Sequence, residues 1–264
     1  MRYGIISDIH SNLQALQKVL EIFDQENVDQ IICLGDVVGY NANPAECIKI
    51  LQERSENTRV ILGNHDEMAV NGVRIFGISR DASDGMRHTT SVLKEDDILW
   101  LKALPTELII EDPKLPFLIT HGSPDPLAHF AYIIGDYAAK EALGVLSARS
   151  FKNEKLRLCF YGHSHQPAYI ELKQFFSNYY EGRQVSGKTI DISHLLEGVG
   201  YLLLNPGSVG QPRGGCDSCF ALLDMDKATV EIREFEYDYN GAQDAILRAG
   251  YSMNIAMRLK PKRK

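Results

Sequence analysis

No run in the 264 residues approaches the roughly 20 consecutive apolar positions that a membrane-spanning helix needs. Cysteine is scarce, five in all, and odd in number; this excludes a disulfide-built scaffold and fits free thiols in a reducing compartment. Positive charge is in deficit. Twenty-eight Lys and Arg face 35 Asp and Glu, a net charge of -7, which excludes a protein that coats nucleic acid or an anionic membrane through its overall field. Internal repeats, low-complexity tracts and Gly/Ser linkers are absent. Met1–Ile6 lacks the separate charged and apolar regions of a signal peptide, so a cytoplasmic location is expected. With 44% hydrophobic and 24% charged residues, the chain has globular composition, and one domain over 1–264 is expected.

Short apolar runs recur, each ending abruptly in polar residues. Tyr3-Gly4-Ile5-Ile6 leads to Asp8 and His10, Ile31-Ile32-Cys33-Leu34 to Asp36, and Val60-Ile61-Leu62 to Asn64-His65-Asp66. Phe117–Thr120 leads to His121, Leu158–Tyr161 to His163 and His165, and Tyr201–Leu204 to Asn205-Pro206-Gly207-Ser208. Runs of this length, apolar on both faces, suit strands buried between two layers. Helical stripes lie between them. Leu13, Leu16, Val19, Leu20 and Phe23 form one, capped by Ser11 or Asn12, and Pro44 opens another ahead of Cys47, Ile48 and Leu51. Ala82–Leu104 reads as two helical segments and Tyr137–Ser147 as one, while Phe220–Met225 and Thr229–Arg233 read as a hairpin. The alternation predicts a layered α/β fold. The polar stretch 166–200 is expected to be an irregular excursion, and Lys260–Lys264 a solvated basic tail.

The strand-end residues are of one chemical kind: carboxylate, imidazole or carboxamide, with no thiol. In layered α/β sheets functional groups gather at the carboxyl ends of strands. Asp8 and His10 are two apart, as are His163 and His165, so each pair points to one side of an extended segment. Five of the eight histidines end apolar runs, a bias that independent turn residues would not show. Oxygen and nitrogen donors without thiolate suit Mn²⁺, Fe or Zn²⁺ rather than a structural zinc cage.

Asp8-x-His10, Gly35-Asp36-x-x-Gly39, Gly63-Asn64-His65-Asp66, His121-Gly122 and Gly162-His163-Ser164-His165, in this order, resemble the signature of the calcineurin-like metallophosphoesterases. Asn205–Arg213 is similar to a segment of their small prokaryotic phosphodiesterase-like branch. The resemblance spans residues 8–213. It implies a four-layered α/β sandwich with two mixed β-sheets flanked by helices. It also implies two divalent transition-metal ions, Mn²⁺ foremost with Fe or Zn²⁺ as alternatives. One ion would be held by Asp8, His10, Asp36 and His165, the other by Asp36, Asn64, His121 and His163, with Asp36 as the bridge. A hydroxide between them would attack phosphorus in line. His65 would polarise a phosphoryl oxygen or protonate the leaving oxygen, and Asp66 would either orient His65 or cap a helix.

The expected substrate is a phosphorylated small molecule or nucleotide, with Asn64, His65 and Arg213 in contact with it. Arg213 alternatively pairs with a carboxylate. Gly35-Asp36 continues Val37-Val38-Gly39, without the arginine of the protein-phosphatase branch, so a diester is expected over a monoester. The alternatives are a phosphomonoesterase or protein phosphatase, and a weakly catalytic metal-binding scaffold of the same fold. Tyr40 reads as a turn residue, Cys216-x-x-Cys219 as loop and strand-start thiols, and the helical region 66–104 as a rim over the site.

Overall fold

The computed structural model describes residues 1–72, 78–150, 156–173 and 176–260. Beyond Lys260, the basic tail lies outside them. The chain opens with β1 (Arg2–Ile6), α1 (Leu13–Gln25), β2 (Gln30–Cys33), α2 (Pro44–Glu53) and β3 (Thr58–Val60). Three helices follow, α3 (Asn64–Asn71), α4 (Arg80–Val92) and α5 (Glu95–Lys102), then β4 (Glu107–Ile110), β5 (Phe117–Thr120), α6 (Gly135–Ser150) and β6 (Leu158–Phe160). The remainder is β7 (Pro167–Lys173), β8 (Phe176–Glu181), β9 (Thr189–Asp191), α7 (Ser193–Leu196), β10 (Tyr201–Pro206), β11 (Ser218–Asp224), β12 (Thr229–Phe235), α8 (Tyr239–Arg248) and α9 (Met253–Ala256).

These strands form two mixed six-stranded sheets, ordered β3-β2-β1-β11-β12-β9 and β4-β5-β6-β10-β7-β8. In the first, β1, β2 and β3 run parallel; in the second, β5, β6 and β10 do. Side chains alternate along a strand, so a strand apolar at every position must be covered on both faces. Ile5 packs with Phe117, Ile119, Phe160 and Leu204 between the sheets, whereas its neighbour Ile6 packs with α1 and α2. Ile119 and Phe160 likewise face the inter-sheet core, while Leu118 and Cys159 face Leu143 and Leu146 of α6. Three cores therefore separate four layers: helices, sheet, sheet, helix.

Asn12 is the N-cap of α1, its side chain accepting from the Ala15 N–H at 3.1 Å. The buried stripe Ala15, Leu16, Val19, Leu20 and Phe23 lies against β1. A Cβ at Gly4 would sit 2.5 Å from the Phe23 ring, so only glycine admits the helix this closely.

Two expectations need correction. Residues 166–200 are not an irregular excursion; they supply β7, β8, β9 and α7. β7 and β8 are antiparallel strands toward one edge of the second sheet, and Ala168 and Ile170 are buried while Glu171 stays half-exposed. β7 lies between two cores, Tyr169 against the inter-sheet one and Ile170 against that of α6, but Glu171 and Lys173 interrupt it, so no unbroken apolar run marks it. The helix expected at Tyr137–Ser147 extends over Gly135–Ser150. Among the described residues, no helix is long and apolar enough to cross a membrane.

Candidate metal centre and catalytic cavity

All six parallel strands deliver their carboxyl ends to one edge. The loop after β1 carries Asp8 and His10, that after β2 Asp36, and that after β3 Asn64 and His65. The loops after β5, β6 and β10 carry His121, His163 with His165, and Gln211 with Arg213. The turns there are tight. Asp8 (φ 55°), His10 (48°), Asp36 (53°), His163 (66°) and His165 (59°) all occupy the left-handed region. Such a conformation costs a non-glycine residue about 1–3 kcal/mol and persists where the surroundings enforce it. Of the nine such residues described, these five and the adjacent Ser11 and Tyr40 gather here, so backbone strain is concentrated at this edge. A Cβ on Gly63 would lie 2.2 Å from the Asp36 backbone nitrogen and carboxylate, so glycine is required for the β2 and β3 loops to touch.

The imidazoles are aimed by backbone carbonyls. His10 Nδ1 lies 3.0 Å from the Val38 carbonyl, His121 Nδ1 2.7 Å from that of Leu34, and His165 Nδ1 2.7 Å from that of Gln211. A carbonyl only accepts, so each Nδ1 donates, and the neutral rings of His10 and His165 present a lone pair at Nε2. The Nε2 atoms of the three rings converge. His10 Nε2 and His165 Nε2 are 3.2 Å apart, and His165 Nε2 is 3.4 Å from Asp8 Oδ1. His10 Nε2 and His121 Nε2 lie 3.5 and 3.3 Å from Asp36 Oδ2. Asp8 Oδ1 and Asp36 Oδ2 are buried with no hydrogen-bond partner.

Lone pairs facing lone pairs in a buried space leave a hole of negative potential that a cation fits. Two groups have donor atoms within 4.8 Å of one another: Asp8, His10, Asp36 and His165, and Asp36, His121 and His163. They share Asp36. Asn64 Oδ1 is 3.1 Å from His121 Nε2, at the edge of the second group.

The protonation equilibria carry the same message. Burial holds His10 and His165 well below the usual histidine range and takes His163 down to about 3, with the neighbouring His121 charge adding to the last. Burial would raise Asp36, yet His121, His65 and His10 around it hold it well below the usual carboxylate range. Burial would lower His121, but Asp36 and Asp8 hold it up at about 9. One histidine thus carries the positive charge that the carboxylates require.

Beside the cluster opens a cavity of about 600 Å³, lined by Tyr40, Asn64, His65, Met68, Tyr132 and Arg213 among others. The calcineurin-like phosphoesterase superfamily domain matches residues 1–228. This chain belongs to that superfamily. It is accordingly a phosphoric ester hydrolase, and its buried His/Asp cluster is of a kind that could hold divalent metal ions. The chain is 32% identical to an uncharacterised protein of Methanocaldococcus jannaschii, over 93% of this chain and 91% of the relative. It resembles the crystal structure of a metallophosphoesterase from Sphaerobacter thermophilus, with 30% identity, TM-score 0.74 and 98% of each chain covered. A phosphodiesterase of M. jannaschii is 28% identical over 65% of this chain and 78% of its own length.

The remaining residues expected at the site of this phosphoesterase fall as follows. Asp66 is the third residue of α3. Its carboxylate accepts from the Gly63 N–H and the Val38 N–H, both at 3.0 Å. It therefore clamps the β2 loop to the β3 loop, and among the described residues no hydrogen bond joins it to His65. The His65 ring is held by packing instead, 4.8 Å from both the Tyr40 and His10 rings, and its buried Nδ1 has no partner. Arg213 donates to the Tyr40 hydroxyl at 3.2 Å and to Gln211 Oε1 at 2.9 Å. Among the described residues it pairs with no carboxylate, so its charge faces the cavity unneutralised. Tyr40 is more than a turn residue, since its ring packs edge-on against His10. Tyr132, stacked on His163 at 3.8 Å, carried no sequence signal, because it lies eleven residues beyond His121 in an irregular loop. Cys216 and Cys219 are buried, in a loop and at the start of β11, as expected.

Proposed function

We propose that the protein is a dinuclear metal-dependent phosphodiesterase acting on a phosphorylated small molecule or nucleotide in the cytoplasm. The observation that carries this reading is two donor groups sharing the Asp36 carboxylate at the mouth of a cavity that holds an unneutralised arginine. Asp8, His10, Asp36 and His165 would hold one ion; Asp36, Asn64, His121 and His163 would hold the other. The donor set suits Mn²⁺ first, then Fe or Zn²⁺. Two such ions, when bound, supply Lewis-acid charge and acidify water near neutral pH.

The chain's own residues do the rest. Arg213 orients the phosphoryl group through its guanidinium fork. The Asn64 carboxamide, with its oxygen turned toward the cluster, leaves its N–H₂ group for a phosphoryl oxygen. Burial holds His65 below the usual histidine range. At neutral pH it therefore meets the substrate as a neutral N–H donor, which favours polarising a phosphoryl oxygen over delivering a full proton. Asp66 acts through the backbone, as a positioning residue.

A diester is preferred because one guanidinium near the cluster suits a singly charged phosphate, and the phosphodiesterase relative points the same way. The test is hydrolysis of bis(p-nitrophenyl) phosphate beside p-nitrophenyl phosphate, with Mn²⁺ and a chelator control. Chelator-sensitive turnover favouring the diester is expected. A monoester preference replaces the reading with a phosphatase, and two bound ions without turnover of either ester replaces it with a scaffold.

A further inference from the structure

A second cavity, of about 660 Å³, lies beside the catalytic one between α4 and the turn linking α8 to α9. Arg80, Arg87, Arg258, Asp81 and Asp84 line it. Asp81 and Arg258 also line the catalytic cavity, so this pair forms the shared wall. The two side chains are ion-paired, with Arg258 62% exposed and Asp81 22%. Arg80 reaches Asp84 only at 3.9 Å, and Arg87 has no ion pair among the described residues. Three guanidiniums thus face two carboxylates here, and Arg213 adds another across the wall. In a chain of net charge -7, these joined cavities carry a local positive excess.

The metal cluster and Arg213 account for one phosphoryl group. They leave Arg258 on the far wall of the same cavity with nothing in the cleavage step to do. We infer that Arg258 is a specificity residue that receives a second anionic group on the substrate, such as a further phosphate, beyond the phosphodiester being cleaved. This rests on the phosphodiesterase reading and narrows it to doubly anionic esters. Asp81 holds the guanidinium in the shared wall and competes with that second group for it. Guanidinium matches phosphate in geometry, and a rim arginine exchanging one anion for another loses little by the exchange.

The competition separates this role from a merely structural one. Two p-nitrophenyl alkyl phosphodiesters are compared, one with a plain alkyl arm and one with a terminal phosphate on a spacer of two to four carbons. The readout is the ratio of KM for the doubly anionic ester to KM for the plain one. Arg258→Ala should raise that ratio about fivefold, the scale of a charge-assisted contact at a screened site. Asp81→Asn should lower it, because the guanidinium is freed. An ion pair that only ties α9 to α4 would move both variants in one direction on both esters. A ratio unmoved by either variant, or moved the same way by both, overturns the inference. If neither ester turns over, the phosphodiesterase reading falls. The unreacted esters are then titrated calorimetrically into the same three proteins. The same opposite shifts in the Kd ratio support Arg258 as the anion receptor, and their absence overturns it.

Discussion

The site loops brace one another within each sheet, but the first sheet brings the carboxylates of the cluster and the second brings three of its imidazoles. Asp8 N–H donates to the Gly35 carbonyl at 3.1 Å, His10 N–H to that of Asp36 at 2.9 Å, and Ser11 N–H to that of Val37 at 2.9 Å. Asp66 and the Asp36 carboxylate tie in the third loop, the latter accepting from the His65 N–H at 2.8 Å. The second sheet brings His121, His163, His165 and Arg213, and its loops are tied by the Gly162 N–H donating to the His121 carbonyl at 2.8 Å and the Arg213 N–H to that of His165 at 3.1 Å. His121 is aimed by Leu34 of the first sheet's β2 loop, and the His163 N–H donates to Asp8 Oδ2 at 3.1 Å. The first sheet thus supplies the negative charge of the cluster, from Asp8 and Asp36. The second supplies the imidazoles of His121, His163 and His165 and the Arg213 guanidinium, with His121 and His163 tied to the first. Damage to the first should disturb both proposed ion sites, and damage to the second only one.

Asp36→Asn tests this most severely. Loss of the shared carboxylate should remove both ions and lower turnover by roughly 10³-fold or more, read by elemental analysis and ester hydrolysis. Retention of one full equivalent of metal would break the comparison. On the second sheet, His163→Ala should leave about one ion bound at the Asp8, His10 and His165 group, with activity reduced less than in Asp36→Asn. Loss of both ions there would show that the sheets are not unequal partners.

Asp66→Ala should strand two backbone N–H groups, each at a cost of about 1–3 kcal/mol. Melting should fall by roughly 5–15 °C, since 1 kcal/mol is worth about 2–4 °C in a chain of this size. Restoration of melting by Asp66→Asn would show that one acceptor suffices.

The smallest effect concerns acid. His163 titrates near 6.5 in the unfolded chain and at about 3 when folded. Between those values the unfolded state binds more protons, so stability falls as pH is lowered through 6.5 toward about 3. Asp8 and Asp66 act with the opposite sign, because burial raises their folded values to about 6 and about 7. Their contribution is present below the ordinary carboxylate range and is lost as pH rises through those values. In metal-free protein, His163→Asn should therefore flatten the acid-side loss of melting temperature without changing its alkaline side. An unchanged acid slope would show that His163 is not buried neutral.

The strands entering the site were legible because each is covered on both faces and so appears as an apolar run with an abrupt polar end. β7, β8 and β9 were not, because polar residues interrupt each of them, Glu171 and Lys173 in β7, Ser177 and Asn178 in β8, and Thr189 and Asp191 around Ile190 in β9. The His and Asp residues that gather at the sheet edge were legible where chemistry restricts the residue type: a buried cluster of donor atoms accepts few side chains besides His, Asp and Asn. Asp66 was seen but not its task, since a carboxylate that caps backbone N–H groups and one that orients an imidazole look alike in sequence. Tyr132 and Arg258 carried no signal, because they reach the cavity from loops whose course no local pattern dictates.

Order and spacing along the chain determined the family, the layered fold and the residues at the strand ends, since those depend on periodicity and donor chemistry that are local. Tertiary structure alone decided that Asp66 ties the β2 loop to the β3 loop, that Arg213 faces the cavity without a carboxylate, and that Asp81 holds Arg258 in a common wall. Those facts depend on distances between segments tens to hundreds of residues apart, which only the packing of two sheets sets.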